Sequence, residues 1–308
     1  MPRSLVKVIA RTICQDKLLQ DLVLQETALT ADAFADPQHC RDRTYLQEFL
    51  RGVVTVVVGH QRVDARFLKD HPDIKTVVKY GVGVDNIDFD ACREQGVKIL
   101  WEQGVNRQFV AEHTLGLILG LSRNISLSDR DMKDHRWLRQ GGHSLFGKCV
   151  GIIGFGNVGS ALAQLLQPFS VQVLVRDIVA KEITLPNCRQ VSLDDLLIEA
   201  DVVSMHVPLT EQTRKMCDRG FFEKTRKGVV FINAARGEIV DEEALLHFLK
   251  DGHIAGAGLD VFEEEPTGNR ELVTHPKVIA TPHIAAHSQE SRLAMVSSVC
   301  RGLNAASC

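Results

Sequence analysis

Several features that would assign this 308-residue chain to a specialised class of protein are missing from its sequence. It has no run of about 18 apolar residues that would predict a transmembrane helix. Its first residues, MPRSLVKVIARTIC, lack the apolar stretch and cleavage site of a secretory signal. The formal net charge is −3 and the pI about 6.5, which argues against nucleic acid or an anionic membrane as a partner. The eight cysteines include no CxxC pair, a pattern typical of reduced thiols in a cytoplasmic protein.

Short apolar runs alternate with amphipathic segments along the chain. The first series of runs is LVKVIA, VVTVVVG, IKTVVKY and GVKILW, and the second is CVGIIG, VQVLVRD, DVVSMHV, GVVFINA, IAGAGLDV and KVIAT. Runs that are nearly continuous in Val and Ile are typical of parallel strands covered on both faces. Strands that alternate with helices predict an α/β fold, and two such series in a chain of this length predict two domains.

The helical segments indicate how the two domains are connected. Residues 107–134 have the pattern of one long helix, which would extend roughly 40 Å. The tail SQESRLAMVSSVCRGLNAA is helical again, and we expect it to return to the first domain. The predicted domains are therefore residues 1–104 with 286–308, and residues 105–285 inserted between them.

A glycine-rich turn opens the second series. Gly154, Gly156 and Gly159 form GxGxxG between a strand and a helix, where a tight turn lets a pyrophosphate approach the helix N-terminus. Asp177 ends the next strand at about the 20-residue distance expected of the carboxylate that binds the adenosine ribose. That charge favours NAD over NADP, although Arg176 beside it is compatible with a 2′-phosphate. The alternative for the glycines is a tight turn without a ligand.

Three successive strand ends carry reactive side chains. Arg236 follows VVFINAA, an acidic run ending at Glu265 follows GAGLDV, and His283 follows VIATP. The carboxyl ends of parallel strands meet where ligands bind, and a guanidinium suits a substrate carboxylate. Each residue also has a structural alternative: Arg236 could pair with Glu238 or Asp241, the carboxylate could be solvated, and the histidine could cap a turn. Together they predict an anion clamp, a carboxylate and an imidazole in one site.

A metal site is not predicted at this position. His283 and His287 have the i,i+4 spacing of a metal-binding pair, but no glutamate follows His283 and no third ligand is evident.

The chain as a whole resembles the D-isomer-specific 2-hydroxyacid dehydrogenases, and among them short D-3-phosphoglycerate dehydrogenases and hydroxypyruvate/glyoxylate reductases. The resemblance implies two doubly wound parallel-sheet domains, a flavodoxin-like substrate domain and a Rossmann NAD-binding domain. The motifs that carry it span nearly the full length and are KYGVGVDNID, VAEHTLGLILGLSR, GKCVGIIGFGNVG, HVPLTEQT, NAARGEIVDEEAL, GLDVFEEEP and TPHIA.

The resemblance also implies an activity, a hydride transfer between NAD(H) and a small 2-keto or 2-hydroxy acid. In that reaction His283 is the acid/base, Glu265 holds its imidazole in the protonated form, and Arg236 binds the substrate carboxylate and carbonyl. The backbone N–H groups of Val82 and Gly83 complete the carboxylate site from the other domain. A homodimer formed through the cofactor domains is implied as well.

By the same resemblance, a set of residues lines the cofactor groove. These are Gly154, Gly156, Asn157, Val158, Gly159, Asp177, Val207, Pro208, Ala234, Ala235, Arg236, Asp260, His283 and Ala285.

Two departures from the family concern the substrate. Where phosphoglycerate enzymes have an arginine that helps to hold the phosphate, this chain has Gly59-His60-Gln61, and after the strand VKIL it has Trp101-Glu102-Gln103. We therefore expect a substrate whose tail carries no phosphate, with D-3-phosphoglycerate dehydrogenase as the alternative. A rival from another class is an NADH-sensing protein similar to the C-terminal-binding-protein corepressors, which share the fold and the Arg, Glu and His.

Overall fold

The structure is a computed structural model that describes residues 5–306. The chain divides into two compact units, one formed by Met1–Asn106 with His287–Cys308 and the other by Arg107–Ala286. The second unit is thus inserted into the first.

The first unit contains a four-stranded parallel sheet in the order β1-β2-β3-β4. Its strands are β1 Val6–Val8, β2 Thr55–Val58, β3 Thr76–Lys79 and β4 Lys98–Leu100. Its helices are α1 Arg11–Cys14, α2 Lys17–Glu26, α3 Arg43–Phe49, α4 Ala65–Asp70, α5 Phe89–Glu94 and the C-terminal α13 Gln289–Ala306. All four strands predicted from the first series of apolar runs are present, because each run buries Val and Ile against helices.

A single β-bridge makes the order of this sheet flavodoxin-like. Phe34 forms a parallel bridge with Val8, on the side of β1 away from β2. When Phe34 is counted as a rudimentary second strand, the order becomes 2-1-3-4-5, which reverses at β1. The expected doubly wound topology is therefore present, with one strand reduced to a bridge.

The second unit contains a seven-stranded parallel sheet in the order β11-β10-β9-β8-β5-β6-β7. Its strands are β5 Cys149–Ile153, β6 Gln172–Arg176, β7 Cys188–Gln190, β8 Val202–Met205, β9 Val229–Asn233, β10 Ile254–Leu259 and β11 Val278–Ala280. The order reverses beside β5, as in a Rossmann fold. Six of these strands were predicted. β7 was missed because an edge strand reading Cys-Arg-Gln has no apolar run.

The predicted long helix over residues 107–134 is wrong in one respect, since it is two helices. α6 ends at Ser122 and α7 begins at Ile125, with Asn124 between them in the left-handed conformation at φ 51°. Asn tolerates this conformation better than most residues, and it redirects the chain. The helices of this unit are α6 Arg107–Ser122, α7 Ile125–Lys133, α8 Asn157–Leu166, α9 Leu193–Glu199, α10 Arg219–Lys224, α11 Glu242–Lys250 and α12 Arg270–Thr274.

The ends of α11 show how local sequence delimits a helix. The Asp241 side chain accepts hydrogen bonds from the backbone N–H groups of Glu243 and Ala244, so it is the predicted N-cap. Gly252 follows the helix with a φ of 79°, a conformation that glycine adopts without strain. This helix returns the chain from the end of β9 to the start of β10.

Two general features of the described chain bear on its environment. The seven cysteines between residues 5 and 306 are all free thiols. Within the same range, no helix is both long and apolar enough to cross a membrane.

Candidate active site

The predicted site residues of the second unit follow the carboxyl ends of its parallel strands. Gly154 follows β5, Val207 follows β8, Arg236 follows β9, Asp260 follows β10 and His283 follows β11. Because all seven strands are parallel, these residues share one edge of the sheet, which is where open α/β sheets bind ligands.

His283 and Glu265 form a hydrogen-bonded pair at this edge. His283 Nδ1 lies 2.8 Å from Glu265 Oε2, and the two side chains are 35% and 39% exposed. The hydrogen bond that His283 donates to Glu265 raises the pKa of His283 above its usual value; burial and nearby Arg236 oppose this effect without cancelling it. The imidazole is therefore held toward its protonated form, as a general acid requires.

The backbone around His283 is fixed by Asp260. The backbone N–H of His283 donates to the Asp260 carbonyl over 2.7 Å, while His283 itself has a φ of 54°. The Asp260 carboxylate in turn accepts the N–H groups of Ile284 and Ala285, each over 2.8 Å. A non-glycine residue at positive φ needs such support, because the conformation is strained.

Asp260 is also the centre of a side-chain network. It is fully buried, and it accepts the Thr281 hydroxyl over 2.6 Å. Thr281 Oγ1 lies 3.1 Å from Nε2 of His113 on α6, and this nitrogen is 3.5 Å from Asp260. The sequence analysis placed Asp260 in the cofactor groove; in the structure its carboxylate supports the turn that carries His283. His113 was missed, since nothing in its local sequence distinguishes it from other residues of a packed helix.

Arg236 is positioned by the turn that follows β9. Asn233, fully buried, donates from Nδ2 to the Arg236 carbonyl over 2.8 Å and accepts the Ala235 N–H over 3.0 Å. The Arg236 guanidinium donates through Nη1 to the Ala235 carbonyl over 2.7 Å. An added Cβ at Gly237 would lie 1.8 Å from the backbone carbon of Phe262, so only glycine lets this turn approach the loop that leads to Glu265.

The glycine-rich turn has the shape of a pyrophosphate site. Gly154 has a φ of 96°, and a Cβ there would lie 2.5 Å from the His206 carbonyl oxygen. A Cβ at Gly159 would lie 2.1 Å from the Gly154 carbonyl oxygen, whereas one at Gly156 would meet nothing within 4 Å. α8 begins at Asn157 and no side chain caps it, so its first N–H groups are left for an anion. These features fit a bound dinucleotide, with Asn157 and Val158 in the first turn.

Asp177 lies beside this turn at the end of β6. Its two oxygens accept the backbone N–H groups of Phe155 and Val179 over 2.8 and 3.0 Å. Burial raises the pKa of Asp177, but these two hydrogen bonds and nearby Lys181 outweigh it, so the net pKa is lowered and the group is ionised at neutral pH. Arg176 donates from Nη1 to the Asp177 carbonyl over 2.8 Å, which draws its guanidinium back onto the chain.

The remaining predicted cofactor residues line the same edge. Val207 and Pro208 follow β8, Ala234 and Ala235 follow β9, and Ala285 is buried beyond β11. His206, not singled out from the sequence, lies among them with Nε2 2.9 Å from Ser204 Oγ. Burial lowers the pKa of His206 to about 4, so it is neutral at physiological pH.

Val82 and Gly83, predicted to bind the substrate carboxylate, belong to the other unit. They follow β3 in a turn that begins with Gly81 at a φ of 101°, and both are partly exposed. Their role stays a prediction.

Three residues at the two departures, Gly59, Trp101 and Glu102, make contacts within the first unit. Lys79 is buried and donates from Nζ to the Gly59 carbonyl over 2.6 Å. Trp101 packs edge-on against Phe89, with ring centroids 5.5 Å apart. Glu102 forms an ion pair with Arg301 of α13 at 2.5 Å, so its charge is compensated within the unit.

Between residues 5 and 306, no group of three or more His, Cys, Asp or Glu side chains is arranged to hold a metal ion.

Comparison with known proteins identifies the family of this chain. Residues 115–285 match the family described as D-isomer specific 2-hydroxyacid dehydrogenase, NAD binding domain. The chain is 38% identical to hydroxypyruvate reductase of Thermotoga maritima over 78% of this chain and 79% of that protein. It is 42% identical to D-3-phosphoglycerate dehydrogenase of Bacillus subtilis over 73% of this chain, and this match spans only 44% of that relative.

The solved structures extend the likeness to both units. The structure of D-lactate dehydrogenase from Aquifex aeolicus, complexed with NAD and lactic acid, is 26% identical and has a TM-score of 0.83, with 98% of this chain and 94% of that chain covered. The family match covers more than half of the 308 residues. The chain therefore belongs to the D-isomer specific 2-hydroxyacid dehydrogenase family, and residues 115–285 are its NAD-binding domain.

Proposed function

We propose that this protein is an NAD-dependent dehydrogenase of a small 2-hydroxy acid, acting in either direction between the 2-keto and the 2-hydroxy form. The observation that carries the proposal is the 2.8 Å contact between His283 and Glu265 at the carboxyl edge of the NAD-binding domain. Reduction of a carbonyl requires a proton donor and a group that binds the substrate. An imidazole with a raised pKa, next to a guanidinium and in the same domain as the glycine-rich turn, meets this requirement.

His283 is the acid/base of the proposed reaction. Because Nδ1 faces Glu265, the proton exchanged with substrate is the one on Nε2. In reduction, the protonated imidazole donates this proton to the carbonyl oxygen; in oxidation, the neutral imidazole removes it from the hydroxyl. Glu265 stabilises the protonated ring and fixes its orientation, so it acts through His283.

Arg236 holds the substrate. Its guanidinium binds the carboxylate and polarises the adjacent carbonyl, which stabilises negative charge as it develops on that oxygen. Val82 and Gly83 donate backbone N–H groups to the same carboxylate. The turn braced by Asn233 keeps the guanidinium at the strand end.

NAD(H) is the coenzyme of the proposed reaction and, when bound, supplies or accepts the hydride. The uncapped first turn of α8 and the open space above Gly156 would hold the pyrophosphate. The ionised carboxylate of Asp177 would accept the ribose hydroxyls and repel a 2′-phosphate.

The substrate tail in this proposal carries no phosphate, as in hydroxypyruvate or glyoxylate. Gly59 replaces a guanidinium, and Arg62 is 83% exposed and forms an ion pair with Asp64 at 3.1 Å. A phosphate in a closed cleft needs compensating charge. The test compares kcat/KM for hydroxypyruvate with that for its 3-phospho form at one salt concentration. A preference of more than about tenfold, or ~1.4 kcal/mol, for the phosphorylated acid would assign a D-3-phosphoglycerate dehydrogenase instead.

An assay of NADH oxidation with a panel of 2-keto acids tests the activity itself. Turnover of one of them supports the proposal. NADH binding without turnover of any would favour a sensor similar to the corepressors.

We also propose a cytoplasmic homodimer formed through the NAD-binding domain. The segment between α7 and β5 has three large apolar side chains in solvent, Trp137 at 72%, Leu138 at 49% and Phe146 at 74% exposed. Several large apolar side chains exposed in one short segment favour an interface, and a second copy of this chain is the proposed partner. Light scattering should give the mass of a dimer for the native protein, and a lower mass when Trp137 and Phe146 are replaced by serine; a native monomer would contradict the proposal.

A further inference from the structure

The first unit contains a cavity that the proposed dehydrogenase reaction does not use. It has a volume of about 310 Å³ and lies between the start of α3, the length of α4 and the loop that follows β2. Neither Val82 nor Gly83 is among the residues that line it. The cavity is thus distinct from the turn proposed to bind the substrate carboxylate.

Positive charge dominates the cavity wall. Four guanidiniums line it, against two carboxylates; the residues are Arg41, Arg43, Arg62, Arg66, Asp64 and Asp70. The wall therefore has two more positive than negative charges. His71 adds none at neutral pH, because burial lowers its pKa below the usual value.

Both carboxylates are already engaged. Arg43 donates to both oxygens of Asp70, over 2.9 Å each, and this contact is the main reason that the pKa of Asp70 is lowered. Asp64 forms its ion pair with Arg62 and caps α4 by accepting the Phe67 N–H over 2.9 Å. The two negative charges on the wall are thus compensated by the guanidiniums of Arg43 and Arg62.

The other two guanidiniums carry the excess charge. Arg41 and Arg66 form no ion pair with any residue between 5 and 306, although Arg66 is near enough to Asp70 to contribute to its lowered pKa. Two unpaired guanidiniums beside one cavity can together bind an oxyanion with two charges.

We infer that this cavity binds the phosphate group of a small phosphate monoester. A phosphate monoester has a charge near −2 at neutral pH, since its second pKa is about 6, and this matches the excess on the wall. The volume is at the lower end of the range for small-molecule sites. Leu46 and Phe67 add apolar wall on which the carbon part of the ester can pack. The inference goes beyond the proposed dehydrogenase activity.

The binding test uses the full-length protein and sn-glycerol 3-phosphate as the probe, titrated by calorimetry at low salt, with glycerol as the neutral comparison. The test variant replaces Arg41 and Arg66 by glutamine. The matched control replaces Arg51, just after α3, and Lys69, on α4, by glutamine; it removes the same total charge from positions flanking α3 and on α4 that lie outside the cavity.

Saturable binding to the native protein and to the control, weakened at least tenfold in the test variant, is the expected result. Each variant is also titrated with NADH, which reports folding of the other unit and needs no turnover. Absence of binding to the native protein, or equal binding by the test and control variants, would overturn the inference. A failure of the proposed dehydrogenase activity would leave this result unaffected.

A kinetic comparison identifies the source of the phosphate. If the KM for 3-phosphohydroxypyruvate rises in the test variant while that for hydroxypyruvate does not, the phosphate belongs to the substrate. If glycerol phosphate binding is lost and both KM values are unchanged, the ligand is a separate phosphate ester. The second outcome, together with the binding result, supports a site outside the reaction. The first would overturn both that separation and the phosphate-free substrate tail proposed above.

Discussion

Replacement of Glu265 by glutamine should shift the pH dependence of keto-acid reduction to lower pH. Glutamine can still accept the hydrogen bond from His283 Nδ1, which spans 2.8 Å, but it has no charge. The hydrogen bond to Glu265 and its charge raise the pKa of His283, whereas burial and Arg236 lower it. Without the carboxylate charge, the pKa of His283 should therefore fall.

The size of the effect follows from Coulomb's law. Unit charges 4 Å apart interact by about 4 kcal/mol at an effective dielectric constant of 20, and by about 1 kcal/mol in water. The side chains of His283 and Glu265 are 35% and 39% exposed, so solvent screens the pair and the value belongs in the lower part of that range. A loss of ~1–2 kcal/mol corresponds to a factor of about 5–30.

The assay measures kcat for reduction of a 2-keto acid across a range of pH at saturating NADH. Reduction requires the protonated imidazole, so the two proteins should have similar rates at low pH. Above the raised pKa of His283, the variant should be slower by about 5–30-fold. Oxidation requires the neutral imidazole, and its pH dependence should shift in the same direction.

Glu264→Gln is the matched control. Glu264 is the neighbour of Glu265 in the sequence and has an exposed side chain, so the substitution removes the same charge without touching the pair. Its pH profile should equal that of the native protein. A Glu265→Gln profile that is unshifted, or that is lower by one constant factor at all pH values, would refute the charge-based account of the pair.

The same pKa shift predicts how stability depends on pH. Folding raises the pKa of His283 above its usual 6.5, so the folded state binds this proton more tightly than the unfolded chain does. The resulting stabilisation is fully present below the usual pKa and is lost as pH rises through the raised one. The difference in Tm between native protein and Glu265→Gln should therefore be largest in mild acid.

Four further substitutions test the rest of the site. His283→Ala should lower kcat by roughly 10²–10⁴-fold, while fluorescence titration should show that NADH still binds. Near-normal turnover would rule out the role of His283. Arg236→Ala should instead weaken substrate binding and lower kcat together, because the charge of Arg236 contacts ground state and transition state alike. Asp177→Ala should reduce the ratio of kcat/KM for NADH to that for NADPH, and a native protein that prefers NADPH would contradict our assignment of the carboxylate. Gly237→Ala should lower Tm by an amount equivalent to about 1–3 kcal/mol or more, since its Cβ would lie 1.8 Å from a Phe262 backbone carbon; an unchanged Tm would show that the two loops separate easily.

Features that depend on neighbours in sequence were predictable. Runs such as VVTVVVG bury both faces of a strand wherever they occur in a parallel sheet. Ten of the eleven strands described between residues 5 and 306 were therefore predicted from such runs. The turn around Gly154 and the cap at Asp241 were predictable for a similar reason, since backbone conformation and capping depend on one or two side chains nearby.

Local sequence misled where a single residue or a weak pattern decided the outcome. The helical pattern continued past Asn124, but this one left-handed residue separates α6 from α7. β7 forms because Val173 and its neighbours present an unpaired edge to Cys188, and not because its own residues favour a strand. Phe34 contributes a bridge beside β1 for the same reason.

Contacts between distant segments were decided only by the tertiary structure. His283 could be chosen from the sequence as an acid/base, but its support by Asp260 and the link through Thr281 to His113 join residues up to 168 positions apart. The arginines of the cavity come from two separate segments of the chain. Arg41 and Arg66 form no ion pair because the carboxylates of Asp64 and Asp70 pair with Arg62 and Arg43 instead. Periodicity and propensity act over a few residues, whereas charge compensation and burial depend on every group that the fold brings within a few ångströms.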